Sequence, residues 1–409
     1  NWNALYSSDD VLHKIGPGTL NVQKKQGANI KIGEGNVILN EEGTFNNIYL
    51  ASGNGKVILN KDNSLGNDQY AGIFFTKRGG TLDLNGHNQT FTRIAATDDG
   101  TTITNSDTTK EAVLAINNED SYIYHGNING NIKLTHNINS QDKKTNAKLC
   151  DDINLGNHNW TPIGSSSKIP YTGSFDGQDH VVRGLRIESG DTYAGLFGIV
   201  YGDEKQSIEN LTVKGSIECG EKIAYAGGIV AYMHGKNESQ RNYIRNCHSE
   251  VQIQVKNAKR HRSAVGGIVG YADKMWVNQC SNKGNVSLES AGGIQFYAGG
   301  IIGDMANSVS VRQSVNRGSV EAEFCAGGLV GRMSGSNGAV TSNYNTGDVL
   351  ANSYAGGLIG VMTGASGGSQ ISCCYNIGDV NLNISGKCIG ALFGAMLDGT
   401  YTNLTALKN

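Results

Sequence analysis

The sequence predicts an all-β protein built as a β-solenoid, in which short strands stack in successive turns. Three observations support this prediction. A motif such as YAGGIIG (297–303) recurs throughout the second half of the chain. Short alternating stretches broken by Gly, Asn and Asp fill the first half. No glycine-free segment of ten residues carries apolar side chains at helical spacing, so we expect very little helix.

The early strands show the two-residue alternation of half-buried β structure. IKIG (30–33), TLDLNG (81–86) and QTFTRI (89–94) are the clearest cases. Leu82 and Leu84 should face the same side, because alternate residues of a strand do. Many such strands at close spacing are typical of a sandwich, a barrel or a solenoid.

The repeats in the second half decide between these architectures. Their closing positions lie 28 to 39 residues apart, and polar loops of variable length separate the strands. A unit this small cannot bury its apolar face alone, whereas stacked copies share one continuous core. The seven copies are YAGLFG ending at 198, YAGGIVA at 231, AVGGIVG at 270, YAGGIIG at 303, CAGGLVG at 331, YAGGLIG at 360 and CIGALFG at 394.

A second block with a glycine turn is expected after each copy. Examples are VNQCSNKGNV (277–286) and ISCCYNIGDV (371–380). The boundary between the alternating strands of the first half and the motif repeats of the second half lies in the polar, unpatterned segment 137–148. This boundary predicts domains at 1–140 and 141–409. The same segment could instead be a loop extending from one continuous solenoid.

Composition argues against several classes of partner. Lys plus Arg number 34 and Asp plus Glu 36, so no basic field would attract nucleic acid or anionic lipid. No apolar run approaches the roughly 18 residues of a membrane helix. We therefore expect no nucleic-acid partner and no membrane insertion by this segment.

The eight cysteines lack the spacing of a zinc site. Aligning the repeats places Cys247 and Cys280 at one position of consecutive copies. Rungs about 4.8 Å apart would allow a disulfide between them, and small buried side chains are the alternative interpretation. Cys373 and Cys374 are adjacent, so they should point to opposite faces, one of them toward solvent.

Catalytic patterns are absent from the sequence. No GxSxG context marks a serine nucleophile, and the acidic segments 117–120 and 175–180 lack calcium-loop spacing. Asp83, Arg78 and Arg93 could share one face, as in polysaccharide-cleaving solenoids, but no carboxylate pair recurs on adjacent rungs. We expect no cofactor and no metal.

The first part of the chain resembles the passenger of immunoglobulin A protease-type serine autotransporters. The resemblance spans about 14–136 and rests on GPGTLNVQ (16–23), GEGNVILN (33–40), ASGNGKVILN (51–60), RGGTLDLNGHNQTFTRI (78–94) and YIYHGNINGN (122–131). It implies a right-handed parallel β-helix that follows a chymotrypsin-like protease domain. It further implies that this piece begins just after the protease, and that the protein is secreted or displayed on the bacterial surface.

From about 160 to 394 the chain resembles GLUG repeats. This resemblance rests on WTPIG (160–164), YTGSFDGQDHVVRGLRIE (171–188) and the AGGLVG-like copies. GLUG repeats occur in bacterial surface adhesins and in some immunoglobulin A peptidases, so an adhesive role is implied. The repeat does not identify a ligand.

These observations predict a non-catalytic β-helical stalk that contacts host glycoprotein or extracellular matrix, or its own kind. Alternatives are part of a secreted serine peptidase whose catalytic domain lies outside this chain, or a polysaccharide-active β-helix enzyme. The dense basic run is a candidate binding site for an acidic glycan or protein, or else a solvated loop. It consists of Lys256, Lys259, Arg260, His261 and Arg262.

Overall fold

A computed structural model shows parallel strands throughout the described part of the chain. No helix occurs there, and hence none that could span a membrane. The prediction of an all-β parallel β-helix is therefore confirmed. The structure describes residues 11–66, 72–76, 79–91, 93–96, 100–116, 126–136, 146–149, 152–157, 159–188, 192–201, 205–290, 295–364, 369–383, 388–397 and 404–405.

The chain divides into two compact units, Asn1–Ile138 and Asn139–Asn409. The segment 137–148, where the sequence predicts a junction, lies outside the described residues except for its last three positions. The assignment of 1–140 and 141–409 to different repeat families stays a prediction.

Three parallel sheets form the first unit, and the chain returns to each sheet one rung later. The first sheet contains Val11–Lys14, Asn29–Ile32, Asn47–Leu50, Gly72–Phe75 and Arg93–Ala96. The second contains Thr19–Val22, Gly35–Leu39, Gly55–Leu59, Gly80–Asp83, Thr101–Asn105 and Asn127–Gly130. The third contains Gln89–Phe91, Ala112–Ile116 and Ile132–His136.

Aliphatic side chains of the first unit stack in columns inside the turns. In the first sheet Ile30, Ile48, Ile73 and Ile94 occupy one register position, and all are fully buried. Leu82 and Leu84 are both buried, as the alternation predicts. Each additional rung extends the core because it presents the same cross-section to its neighbours.

The second unit contains two seven-stranded sheets and one large sheet. The first seven-stranded sheet contains Tyr193–Ala194, Tyr225–Gly227, Ser263–Gly266, Phe296–Gly299, Cys325–Gly327, Tyr354–Gly356 and Cys388–Gly390. The second contains Phe197–Tyr201, Val230–His234, Val269–Asp273, Ile302–Met305, Val330–Ser334, Ile359–Thr363 and Phe393–Leu397.

The large sheet has nineteen strands, and their order in the sheet follows their order along the chain. Its strand Asn242–Ala258 pairs with three shorter strands of the next rung. The strands are Ala147–Lys148, Ile153–Asn154, Phe175–Asp176, Val181–Glu188, Ser207–Cys219, Asn242–Ala258, Met275–Asn278, Ser281–Asn282, Val286–Ser290, Ser310–Arg312, Val315–Asn316, Val320–Ala322, Ala339–Thr341, Tyr344–Asn345, Val349–Ala351, Gln370–Ser372, Tyr375–Asn376, Val380–Leu382 and Leu404–Thr405.

The motif copies aligned from the sequence are register partners in the structure. The residue that opens each copy pairs with its counterpart in the next rung, so the predicted column is confirmed. Its members are Tyr193, Tyr225, Ala264, Tyr297, Cys325, Tyr354 and Cys388.

The glycine pair of each motif lies where backbones approach closely. A Cβ at Gly299 would stand 2.0 Å from the carbonyl oxygen of Ile302. A Cβ at Gly300 would stand 2.2 Å from the side-chain Cγ of Asn316 and 2.2 Å from the carbonyl oxygen of Gly328. No side chain larger than hydrogen fits at either position without moving backbone.

A buried asparagine ladder runs beside the second glycine of the motif. Its members are Asn282, Asn316, Asn345 and Asn376, and each donates its Nδ2 to the carbonyl of the glycine two residues later. Nδ2 also donates to Oδ1 of the next asparagine, at 2.9, 2.8 and 2.7 Å along the series. The N-x-G that begins at each of these four asparagines is the sequence signal of this ladder.

Candidate binding site

The basic run begins at the end of strand Asn242–Ala258 and leads into strand Ser263–Gly266. Lys256, Lys259, Arg260 and His261 are exposed, and Arg262 is half-buried. The run therefore connects the large sheet to the first seven-stranded sheet, and the surroundings of its five side chains differ.

Two of the four formally charged residues in the run form ion pairs. Lys259 pairs with Glu221 at 2.5 Å, and the Arg262 guanidinium is held by the carboxylate of Asp304. Arg260 instead donates to the carbonyl of Lys222 and to Thr192 Oγ1, both at 2.9 Å. Among the described residues, no carboxylate pairs with Lys256 or Arg260.

Arg260 and His261 line a shallow cleft of about 430 Å³. Its floor includes the stacked rings of Tyr193 and Tyr225, whose centroids lie 6.1 Å apart at 29°. We term this the Arg260 cleft; it is lined by Thr192, Tyr193, Ala224, Tyr225, Arg260, His261 and Arg262. A guanidinium without a carboxylate partner beside two phenol rings can bind an anion attached to a flat or ring-shaped group.

Tyrosine rings pack beneath the cleft. The Tyr232 and Tyr271 rings stack at 4.8 Å and 6°, and Tyr225 lies 5.2 Å from Tyr271. Burial raises the pKa of Tyr232 to about 12 and also raises the pKa of Tyr225. These phenols therefore stay neutral at physiological pH and serve as a rigid floor rather than as bases.

A buried ion triad fixes the end of the basic run. Asp304 is fully buried and accepts from Arg262 Nε at 2.7 Å and from Arg332 Nε at 2.9 Å. Burial lowers the pKa of Arg332, but the charge and hydrogen bond of Asp304 together with those of Tyr297 outweigh burial and leave that pKa raised. Arg332 also lies 4.7 Å from the ring centroid of Tyr297. Arg262 therefore has a structural role, because its guanidinium is already paired with Asp304.

We expect Asp304→Ala to destabilise the second unit by about 3 kcal/mol, because Arg332 would keep a largely buried charge without a partner. Urea denaturation measures this change. Glu221→Ala is the matched control: it breaks the exposed pair with Lys259 and should cost less than about 1 kcal/mol. Equal effects of the two substitutions would contradict a structural role for the triad.

Cys247 and Cys280 are both buried free thiols in this structure. Burial raises the pKa of Cys280 to about 12 and that of Cys247 above its usual range. Their Sγ atoms contact the carbonyls of Arg245 and Asn278, each at 3.3 Å. The disulfide between them stays a prediction. Neither thiol is activated as a nucleophile, since the thiolate is the reactive form.

The neighbouring cysteines divide between the two faces as predicted, since Cys373 is exposed and Cys374 buried. Cys373 adopts a φ of 54°, a left-handed conformation that interrupts the strand before Cys374 turns inward.

The structure adds one pair that sequence reasoning missed. His248 Nδ1 lies 2.8 Å from Ser281 Oγ, because the two residues are register partners on neighbouring strands. Burial lowers the pKa of His248. His248 donates no hydrogen bond to a carboxylate in the described part of the chain, so the third member of a catalytic triad is missing there. Aligning HSE (248–250) with SNK (281–283) would have revealed it.

The remaining acidic candidates show no catalytic arrangement. Asp83 is buried and pairs with Lys56 at 2.8 Å, and Arg93 donates to Asn47 Oδ1. Burial opposes ionisation of Asp83, yet its bonds to Lys56 and Ser106 leave the pKa lowered, so it would not act as a general acid. Arg78 and the segment 117–120 lie outside the described residues.

The described residues also contain no group of three or more His, Cys, Asp or Glu side chains that could hold a metal ion.

Curated relatives show which proteins the chain is similar to. The chain is 91% identical over 167 residues to the serine protease Sat autotransporter of Escherichia coli O6:H1, covering 41% of this chain and 13% of that protein. This chain is homologous to serine protease autotransporters. The predicted resemblance is therefore confirmed, and so is a secreted or surface-exposed bacterial location.

Two further autotransporters match from Haemophilus influenzae. The adhesion and penetration protein autotransporter is 40% identical over 123 residues, covering 28% of this chain and 9% of that protein. The immunoglobulin A1 protease autotransporter is 26% identical over 252 residues, covering 53% of this chain and 14% of that protein. The chain thus spans only about a tenth of the length of the autotransporters it matches.

Among solved structures, a putative immunoglobulin A1 protease from Bacteroides ovatus aligns with a TM-score of 0.48 and 19% identity. The alignment covers 62% of this chain and 78% of that one, and a likeness at this level carries no functional assignment. No family model matches the chain, so the GLUG resemblance of the second half stays a prediction.

Proposed function

We propose that this chain is a non-catalytic β-helical stalk of a secreted bacterial autotransporter, and that it contacts host glycoprotein or extracellular matrix through the Arg260 cleft. The observation that carries the binding role is the Arg260 guanidinium, which has no carboxylate partner among the described residues and lies beside Tyr193 and Tyr225. A rigid ladder of parallel rungs suits a spacer, because each rung is held by both neighbours.

The charge of the cleft indicates an anionic ligand. Arg260 and His261 contribute donors, and the tyrosine rings offer an apolar surface beside them. A carboxylated terminal sugar of a glycoprotein has both features, since its carboxylate can pair with a guanidinium while its ring packs on a phenol.

Binding to the sialylated glycoprotein fetuin tests this proposal. We expect Arg260→Ala to weaken binding about tenfold, since a charge-assisted hydrogen bond contributes about 1.5–3 kcal/mol. Lys259→Ala is the matched control, because Lys259 belongs to the same run but is paired with Glu221, and it should change affinity less than about twofold. Surface plasmon resonance measures both variants.

Sialidase-treated fetuin separates sugar recognition from other contacts. Loss of binding on this treatment is the expected outcome. Equal binding of treated and untreated fetuin, or equal loss in the Arg260→Ala and Lys259→Ala variants, would refute the role of the cleft.

A second candidate function is that of a supporting segment of a secreted serine peptidase whose catalytic domain lies outside this chain. The relatives favour it, because proteins named serine proteases match this chain over about a tenth of their length. A peptidase assay on the whole parent protein and on this chain alone distinguishes the two: cleavage by the parent that is lost with its catalytic domain supports the peptidase.

Self-association is a further way in which a stalk could act. Open edges of a parallel ladder can pair with another copy. Sedimentation velocity over a range of concentrations would show a dimer or larger species if this occurs, and a single monomeric boundary throughout would exclude it.

A further inference from the structure

An exposed pair of aromatic rings lies on the large sheet, outside the Arg260 cleft. Trp276 is 43% exposed, and it is the register partner of Tyr243 on the preceding rung. The two rings stack with centroids 6.3 Å apart at 13°. Because both side chains are anchored on paired strands, they form a fixed surface rather than a mobile one.

The fold does not require aromatic side chains at this position. The register column that contains Tyr243 and Trp276 continues on the other rungs with small or polar residues, namely Ser207, Ser310, Ala339 and Gln370. The core contacts of this strand come from Met275 and Val277, which are fully buried. Trp276 therefore leaves a large apolar group in water without improving the core.

Two cations lie against these rings. Lys205 Nζ is 4.4 Å from the Tyr243 centroid and 5.8 Å from the Trp276 centroid. Arg241 Cζ is 5.8 Å from the Trp276 centroid. Neither cation forms an ion pair with a carboxylate within the described ranges. A cation on an aromatic face keeps its charge available to an anion approaching from solvent.

Among the residues that the structure describes, the surrounding face has a positive excess. Arg312 is exposed, and its guanidinium donates to Ser310 Oγ at 3.0 Å, while Arg245 pairs with Glu209. The carboxylate of Glu238 accepts from Ser308 Oγ at 2.6 Å.

Asp203 and Glu204, which precede Lys205 in the sequence, lie outside the described residues.

We propose that Trp276, Tyr243, Lys205 and Arg241 form a binding site for an anionic saccharide. The sugar ring packs its C–H face against the aromatic pair, and its carboxylate or sulfate group pairs with Lys205 and Arg241. The site is separate from the Arg260 cleft and does not depend on the function proposed for it.

A saccharide fits this surface better than a peptide strand does. Trp276 lies on a sheet face whose backbone groups are already paired on both sides with neighbouring rungs, so no edge is open for strand addition. What remains available is ring surface plus positive charge, which matches a sugar that carries an acidic group.

Binding of the complete chain to two hexasaccharides tests the proposal by calorimetry. A heparin hexasaccharide supplies sulfate, and a hyaluronan hexasaccharide supplies carboxylate alone, so the stronger binder identifies the anionic group. We expect Trp276→Ala to weaken binding of the stronger ligand at least tenfold, and Trp276→Phe to keep it within about threefold. Lys205→Gln and Arg241→Gln should each weaken binding and reduce its salt dependence.

Tyr375→Ala is the matched control, since Tyr375 is 40% exposed on the same sheet and stacks on Tyr344. It should leave the affinity unchanged within twofold, and circular dichroism should show the same β content for every variant.

The proposal is overturned if neither hexasaccharide binds, if Trp276→Ala and Tyr375→Ala have equal effects, or if polyglutamate binds as tightly as the better sugar. The last result would show that charge alone is recognised. None of these outcomes alters the expectation for Arg260→Ala and fetuin.

Discussion

Replacing Asn316 with alanine is expected to lower the free energy of unfolding by about 3 kcal/mol. Asn316 is fully buried, and its amide makes four hydrogen bonds, two with Gly318 and one each with Asn282 and Asn345. Removing the side chain leaves the buried N–H and C=O of Gly318 without these bonds, and each unsatisfied group costs about 1–3 kcal/mol. Urea denaturation followed by circular dichroism measures the loss.

Asn376→Ala provides the graded control for this prediction. Asn376 is the last ladder member among the described residues, where its Nδ2 donates to no further asparagine, so it makes three of these bonds there. Its effect should be smaller than that of Asn316→Ala by about 1 kcal/mol. If both substitutions left the free energy of unfolding almost unchanged, water molecules would be replacing the hydrogen bonds of the asparagine ladder, and the prediction would be contradicted.

Gly300→Ala is expected to be at least as damaging as the loss of Asn316, with a cost of about 3 kcal/mol or more. The new Cβ would overlap the Asn316 side chain and the carbonyl oxygen of Gly328, so the rungs must separate or the ladder must break. Overpacking of a buried site alone costs about 1–3 kcal/mol, and backbone displacement adds to it. Thermal unfolding monitored by circular dichroism measures the change.

Gly220→Ala is the control for the effect that any Gly-to-Ala substitution has on the conformational entropy of the unfolded chain. Its added Cβ would meet nothing nearer than the carbonyl oxygen of Lys256 at 3.8 Å, and its φ is not in the left-handed region. This substitution should be neutral or slightly stabilising, because alanine restricts the unfolded chain. A Gly300→Ala variant as stable as Gly220→Ala would contradict the close approach seen at the motif.

The sequence predicts much of this architecture because a solenoid repeats its own cross-section. Aligning the motif copies is sufficient to pair Tyr297 with Cys325 and Cys325 with Tyr354, as the register confirms. The role of the second glycine could not be predicted in the same way. It depends on the contact between Gly300, which lies between strands Phe296–Gly299 and Ile302–Met305, and Asn316, which belongs to strand Val315–Asn316.

The candidate sites were less predictable for a related reason. The basic run reads as one uniform patch, yet Lys259 and Arg262 are paired with carboxylates 38 and 42 residues away in sequence. Such partners are set by loop length and register, which local composition does not contain. The sequence around Trp276 likewise gives no sign of a binding site. The comparison of its register column across the rungs is needed to show that most other rungs carry small or polar residues at this position.

The buried thiols have a consequence for how this chain could be followed during export. Of the cysteines that the structure describes, Cys373 and Cys388 are exposed, while Cys247, Cys280 and Cys325 are enclosed by stacked rungs. An alkylating reagent would therefore label the first two at once and the others only while the rungs are still apart. The time at which each buried thiol stops reacting would show when the rung around it forms, so the order of rung assembly could be measured on this chain without added labels.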